Sequence, residues 1–151
     1  MHPSSCSIEP LGPWTAHIQA MDHALSKNDP GESMHTWRRA YSAALSDPGW
    51  LGLLTVASAS LRLGAFPSLA QNAATRAREA YWIALFRARQ QRSLKGVLCT
   101  AEAFSMLGDR AAFAQCTRAA AALAANGGDS DAVNLVRCFA ERLADQGKAV
   151  S

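Results

Sequence analysis

The feature that most constrains the fold is a pattern that occurs twice, in which an apolar helix ends at a Leu-Gly pair and an alanine-rich helix follows. The pairs are Leu63-Gly64 and Leu107-Gly108. Glycine directly after the last apolar position is a common helix end, because it adopts the left-handed backbone conformation at little cost. Helical hairpins repeated along a chain build solenoid proteins. The pattern therefore predicts a series of helical hairpins.

Composition agrees with an all-α fold. The chain has 151 residues, of which 49% are hydrophobic and 18% are charged, so it can bury a continuous core. Alanine is abundant and favours closely packed helices. No alternation of β-branched or aromatic residues is long enough to predict a strand. The fold class expected is all-α.

Helix-start and helix-end signals predict about seven helices. Asp29-Pro30-Gly31-Glu32 resembles a capping box with proline at the first helical position. The predicted helices cover residues 13–26, 30–46, 48–64, 67–91, about 93–107, 110–126 and 130–147. Around residues 91–96 two alternatives stay open, a new helix capped by Ser93 or a kink at Gly96. We expect residues 1–12 to form a flexible tail and residues 13–147 a single domain of antiparallel hairpins.

Residues 54–77 and 94–120 resemble tetratricopeptide-type (TPR) repeats. Leu107-Gly108-Asp109 matches the punctuation of that family, and Leu63-Gly64-Ala65-Phe66 matches it partly. The two Leu-Gly pairs are 44 residues apart, against a family period near 34. The resemblance implies a TPR-like stacked array that binds a peptide or protein along one face.

Positive charge is concentrated in the middle of the chain, where residues 51–100 hold seven basic and one acidic side chain. Helical geometry places Arg76 and Arg87 on one side of the predicted fourth helix, and it places Arg78, Arg89 and Arg92 nearly opposite. Two interpretations stay open: the arginines cover apolar stripes with their stems, or they bind an acidic peptide or a nucleic-acid backbone. The predicted partner-binding arginines are Arg76, Arg78, Arg87, Arg89 and Arg92.

Aromatic pairs are spaced for contact along a helix. Trp37 and Tyr41 are four residues apart, as are Trp82 and Phe86. This spacing is typical of packing between helices, and it could also line a groove for a hydrophobic peptide or a small ligand. Tyr41 and Trp82 therefore join the predicted partner-binding residues.

No catalytic or metal-binding motif is recognisable. Glycine-rich phosphate loops, nucleophile elbows and the paired cysteine spacing of zinc modules are all lacking. Cys99, Cys116 and Cys138 fall among apolar helix neighbours, which predicts reduced, buried and structural thiols. We expect no catalytic residue, no metal and no cofactor.

These observations favour a cytoplasmic, non-enzymatic adaptor or scaffold that binds a protein or peptide, and an acidic partner is among the candidates. The start of the chain lacks a signal-peptide pattern, and residues 50–63 are too short and too interrupted to span a membrane. The alternatives are a nucleic-acid-associated regulator and a helical sensor of small molecules. Dimerisation stays open, because small arrays can cover their end helices by pairing.

Overall fold

A computed structural model describes the backbone of residues 11–128 and 130–150, and the side chains of these residues as far as Leu143. These residues form helices and no strand, which confirms the all-α prediction. A short 3-10 helix, Leu63–Ala65, follows the third α-helix. The α-helices are α1 Thr15–Ser26, α2 Pro30–Ser46, α3 Leu51–Arg62, α4 Pro67–Ala70, α5 Ala73–Gln90, α6 Leu94–Leu107, α7 Arg110–Asn126 and α8 Ser130–Val150.

The described residues thus contain eight α-helices, because the predicted fourth helix is split. A turn at residues 71 and 72 separates α4 from α5. Asparagine is a weak helix former, and Nη2 of Arg76 donates to the Leu69 carbonyl at the end of α4, 3.0 Å away. At the far end of the chain, α8 continues through Gly147 instead of ending there.

Local capping explains most helix boundaries. The carboxylate of Asp29 accepts from the Glu32 amide at 3.0 Å, and that of Asp109 accepts from the Ala112 amide at 3.1 Å. Each bond satisfies an amide that the first helical turn leaves without a partner. Gly108 ends α6 at φ 85°, as the Leu-Gly pattern predicts.

The two alternatives near residues 91–96 are resolved in favour of a new helix. Arg92 has φ 52°, so α5 cannot continue through it. The hydroxyl of Ser93 then accepts from the Gly96 amide at 3.0 Å, which caps α6.

Backbone proximity divides the chain into two compact units, residues 1–87 and residues 88–151, called here the N-terminal and C-terminal units. In the N-terminal unit α1 packs on α2 and α2 on α3, around fully buried Met21, Leu53 and Val56. In the C-terminal unit α6 packs on α7 and α7 on α8, around Phe104 and Cys116. The single domain over 13–147 stays a prediction, and residues 1–10 of the predicted tail lie outside the described residues.

None of the described helices is both long and apolar enough to cross a bilayer.

The cysteines differ in state. Cys116 is buried and free, Cys138 is exposed and free, and Cys99 is disulfide-bonded. The prediction of reduced thiols is therefore wrong for Cys99, and the prediction of burial is wrong for Cys138.

Thiol labelling should separate the two free cysteines. Burial, with a smaller contribution from the Asp109 carboxylate, raises the pKa of Cys116 to about 12. Its thiol therefore stays protonated at pH 8, where only about one in ten thousand molecules would carry the reactive thiolate. We expect iodoacetamide to label Cys138 at least about a hundredfold faster than Cys116 in the folded chain. Peptide mass mapping measures both rates, and the chain unfolded in urea is the control. Equal rates in the folded chain would contradict the burial of Cys116.

Candidate functional site

The N-terminal unit carries a surface on which α2 and α5 lie side by side. One edge of α2 is formed by Arg38, Tyr41 and Leu45, which follow helical spacing beside the buried stripe of that helix. Three residues of α5, namely Arg76, Glu79 and Phe86, complete the surface. We call it the α2–α5 face and define it by Arg38, Tyr41 and Leu45 with Arg76, Glu79 and Phe86.

Arg87 joins α5 to the carboxyl end of α2. Its Nη1 donates to the carbonyls of Ala44, Asp47 and Gly49, and its Nη2 donates to the carbonyl of Leu45 at 2.8 Å. A cation at a helix C-terminus also interacts favourably with the helix dipole. The guanidinium that was predicted to bind a partner is thus occupied by the protein's own backbone.

The sequence Asp47-Pro48-Gly49 explains why α2 needs this arginine. An α-helical carbonyl accepts from the amide four residues later. Pro48 has no N–H to offer Ala44, and the Gly49 amide donates to the Asp47 carboxylate at 2.9 Å instead of to Leu45. Arg87 supplies donors to both carbonyls. Arg38 on α2 lies near Arg76 on α5, and the end of α2 lies at Arg87 further along α5, so the two helices run in the same direction.

Arg38 and Arg76 bring two positive charges together on this face. Burial lowers the pKa of Arg76, and the nearby charge of Arg38 lowers it further. The Arg76 Nε is buried and has no hydrogen-bond partner among the described residues. An ion pair joins Arg62 to Asp22 at 2.9 Å, but neither Arg38 nor Arg76 has such an acidic partner among the described residues. Arg38 was not among the predicted site residues.

Tyr41 is half-buried at the edge of α2. Its ring stacks on Trp37 with centroids 5.2 Å apart, and the Trp37 Nε1 donates to the Val56 carbonyl at 2.9 Å. Burial raises the pKa of the Tyr41 hydroxyl, the Glu79 carboxylate raises it further, and Arg87 opposes the shift. Trp37 is therefore a packing residue, whereas the half-buried Tyr41 remains available at the surface.

The other predicted site residues are distributed more widely. Arg78 and Trp82 are half-buried on α5, and each has an interaction within the protein. Arg89 and Arg92 are exposed and belong to the C-terminal unit. Of the seven predicted residues, the structure brings Tyr41, Arg76 and Arg87 together.

A second feature of the N-terminal unit was not predicted. A shallow polar groove of about 390 Å³ lies between α1 and α2. Its lining residues are His17, Arg39, Ser42, Ala43 and Ser46. The sequence indicates this groove only weakly, because the spacing of Arg39, Ser42 and Ser46 shows that they share an edge of α2 but not that α1 lies beside it.

Neither feature resembles a metal centre. Within the part of the chain that the structure describes, no three His, Cys, Asp or Glu side chains group closely enough to hold a metal ion.

Comparisons of this chain with protein-family models, with curated proteins and with solved structures gave no match. The functional assignment therefore rests on the residues and their geometry.

Proposed function

We propose that the chain is a non-enzymatic adaptor or scaffold with a TPR-like arrangement of helices, which binds an acidic segment of a protein partner on the α2–α5 face. The observation that carries the proposal is the pair Arg38 and Arg76. Their like charges repel, and a partner's carboxylate placed between them would relieve that repulsion.

Arginine suits this role. Its guanidinium donates in a planar fork that matches a carboxylate, and such charge-assisted hydrogen bonds are stronger than neutral ones. The Arg38 guanidinium is exposed and makes no ion pair or hydrogen bond among the described residues, so its donors can reach a partner. Glu79 is the acidic member of the face, so the partner's carboxylates are expected to lie toward Arg38 and away from Glu79.

Exposed apolar side chains further along the two helices give the partner a second kind of contact. Phe86 is 62% exposed and Leu45 is 38% exposed. A large exposed aromatic side chain is a frequent anchor of protein interfaces. The expected ligand is therefore a segment in which acidic residues alternate with large apolar ones.

The helix order of the N-terminal unit supports the TPR-like arrangement. In stacked antiparallel hairpins, alternate long helices run in the same direction and pack side by side. The long helices α2, α3 and α5 fit this scheme: Arg87 aligns α2 with α5, and the hydroxyls of Ser58 on α3 and Tyr81 on α5 lie 3.3 Å apart.

The cytoplasm stays a predicted location. Disulfides occur mainly in oxidising compartments, so the bond at Cys99 favours such a compartment. The cytoplasm and an oxidising compartment can be distinguished by alkylating free thiols in intact cells before lysis and then mapping Cys99. A labelled Cys99 is reduced in the cell and supports the cytoplasm.

A peptide-selection experiment tests the proposed function. The full chain is used to enrich a displayed library of random peptides, and the affinity of the enriched peptides is then measured by fluorescence anisotropy. We expect enrichment of Asp and Glu beside Leu or Phe. Arg38→Glu should weaken binding by about tenfold or more, because a hydrogen bond to a charged group contributes about 1.5–3 kcal/mol.

Arg39→Glu is the matched control, since it makes the same charge change one residue away on the other edge of α2 and should alter affinity by less than about twofold. Equal losses in both variants, or enriched peptides without acidic residues, would contradict the proposal. Nonspecific, strongly salt-dependent binding to DNA would favour the nucleic-acid alternative instead.

A further inference from the structure

The groove between α1 and α2 is lined almost entirely by hydrogen-bond donors. His17 comes from α1, and Arg39, Ser42 and Ser46 come from successive turns of one edge of α2. No carboxylate is among the lining residues. Arg39 gives the groove one positive charge, and four of its five lining residues can donate hydrogen bonds, which suits the binding of an oxyanion.

The donors in the groove are available. Arg39 makes no ion pair or hydrogen bond among the described residues, and neither does the His17 ring. The Ser46 hydroxyl donates to the Ser42 carbonyl at 3.1 Å, and no such bond engages the Ser42 hydroxyl. A guanidinium, an imidazole and a hydroxyl can thus donate to the same ligand.

This groove is distinct from the α2–α5 face. Arg38 and Arg39 are consecutive, and consecutive residues point about 100° apart around an α-helix. Arg38 lies on the edge near α5, and Arg39 lies on the edge near α1. One helix therefore presents two positive sites to different sides.

We propose that the groove binds a phosphate monoester, with the phosphate held by Arg39, His17 and Ser42. A phosphate carries about −1.5 to −2 charge at neutral pH and three strong acceptor oxygens, so it can use all three donors at once. A carboxylate has two oxygens and a single charge. The groove, at about 390 Å³, is larger than a phosphate group and open on one side, which leaves room for the esterified part of the ligand.

A titration of the full chain tests the site. Amide and ring signals are followed by NMR as inorganic phosphate, glycerol phosphate or acetate is added at constant ionic strength. We expect saturable shifts centred on His17, Ser42 and Ser46, with dissociation constants of roughly millimolar size. Glycerol phosphate should bind more tightly than inorganic phosphate, and acetate should bind at least about tenfold more weakly than either.

Variants identify the donor responsible. Arg39→Gln should weaken phosphate binding by about tenfold or more, whereas Arg38→Gln, with the same chemical change, should alter it by less than about twofold. Shifts that do not saturate, equal losses in both variants, or equal binding of acetate would overturn the proposal. Tighter binding of inorganic phosphate than of the ester would overturn the assignment of a monoester. Because Arg38 belongs to the peptide-binding proposal and Arg39 does not, each proposal can fail without the other.

Discussion

Replacing Arg87 with methionine is expected to lower the free energy of unfolding by about 2–3 kcal/mol. Methionine keeps the apolar stem and removes the guanidinium. Four backbone carbonyls at the end of α2 then lose a charged donor. Ala44 is affected most directly, since Pro48 leaves its carbonyl without an intrahelical donor. The partial exposure of the site keeps the loss below the sum of four separate bonds, because water can replace some of them.

Thermal and urea unfolding followed by circular dichroism measure this change, and the melting temperature should fall by roughly 4–12 °C. Arg87→Lys should recover part of the loss, because an ammonium keeps the charge but cannot reach four carbonyls in a planar fork.

Arg89→Met is the control for Arg87, with the same chemical change two residues later at an exposed position. It should alter the free energy of unfolding by less than about 0.5 kcal/mol. If Arg87→Met unfolds at the same urea concentration as the unmodified chain, then Arg87 does not cap α2. The Arg87 guanidinium would then be free to bind a partner, as the sequence predicted.

The sequence predicted well those parts of the fold that local interactions determine. The caps by Asp29 and Asp109 and the end of α6 at Gly108 depend on residues within four positions of one another, so their types and spacing are visible in the sequence. The stacking of Trp37 on Tyr41 follows from their spacing in the same way.

The candidate site was harder to predict because its contacts are distant in sequence. Arg87 is about 40 residues from the carbonyls that it caps. Helical spacing puts it on the opposite side from Arg89, but it does not show which helix end lies on that side. Arg38 was overlooked for the same reason, since its significance comes from Arg76 on another helix. The spacing of Phe86 from Trp82 is typical of packing between helices, but Phe86 is 62% exposed, because spacing alone does not show which side of a helix is covered.

Gly52→Ala is expected to destabilise the N-terminal unit by about 1–3 kcal/mol, even though alanine is the better helix former. A Cβ built on Gly52 would lie 2.6 Å from Cζ3 of Trp14 and 2.7 Å from Cε3. Trp14 is only 5% exposed, so its ring cannot move into solvent without losing its buried surface. Its indole N–H has no hydrogen-bond partner among the described residues, so packing holds the ring in place.

Gly31→Ala is the matched control, because Gly31 and Gly52 are each the second residue of a helix. The nearest atom to a Cβ on Gly31 is an Asp29 carboxylate oxygen at 3.7 Å, an ordinary contact. That substitution should be neutral or stabilise the protein by up to about 1 kcal/mol, through helix propensity and a less flexible unfolded chain.

A double variant separates steric overlap from a general effect of the substitution. Trp14→Leu alone should destabilise by several kcal/mol, through the loss of buried aromatic surface. Adding Gly52→Ala to it should then cost little, because the ring atoms that the new Cβ would meet are gone. Urea unfolding of the two single variants and the double variant gives the coupling energy, expected at about 1–2 kcal/mol. Strictly additive losses would mean that Gly52 is needed for some reason other than the close approach of Trp14.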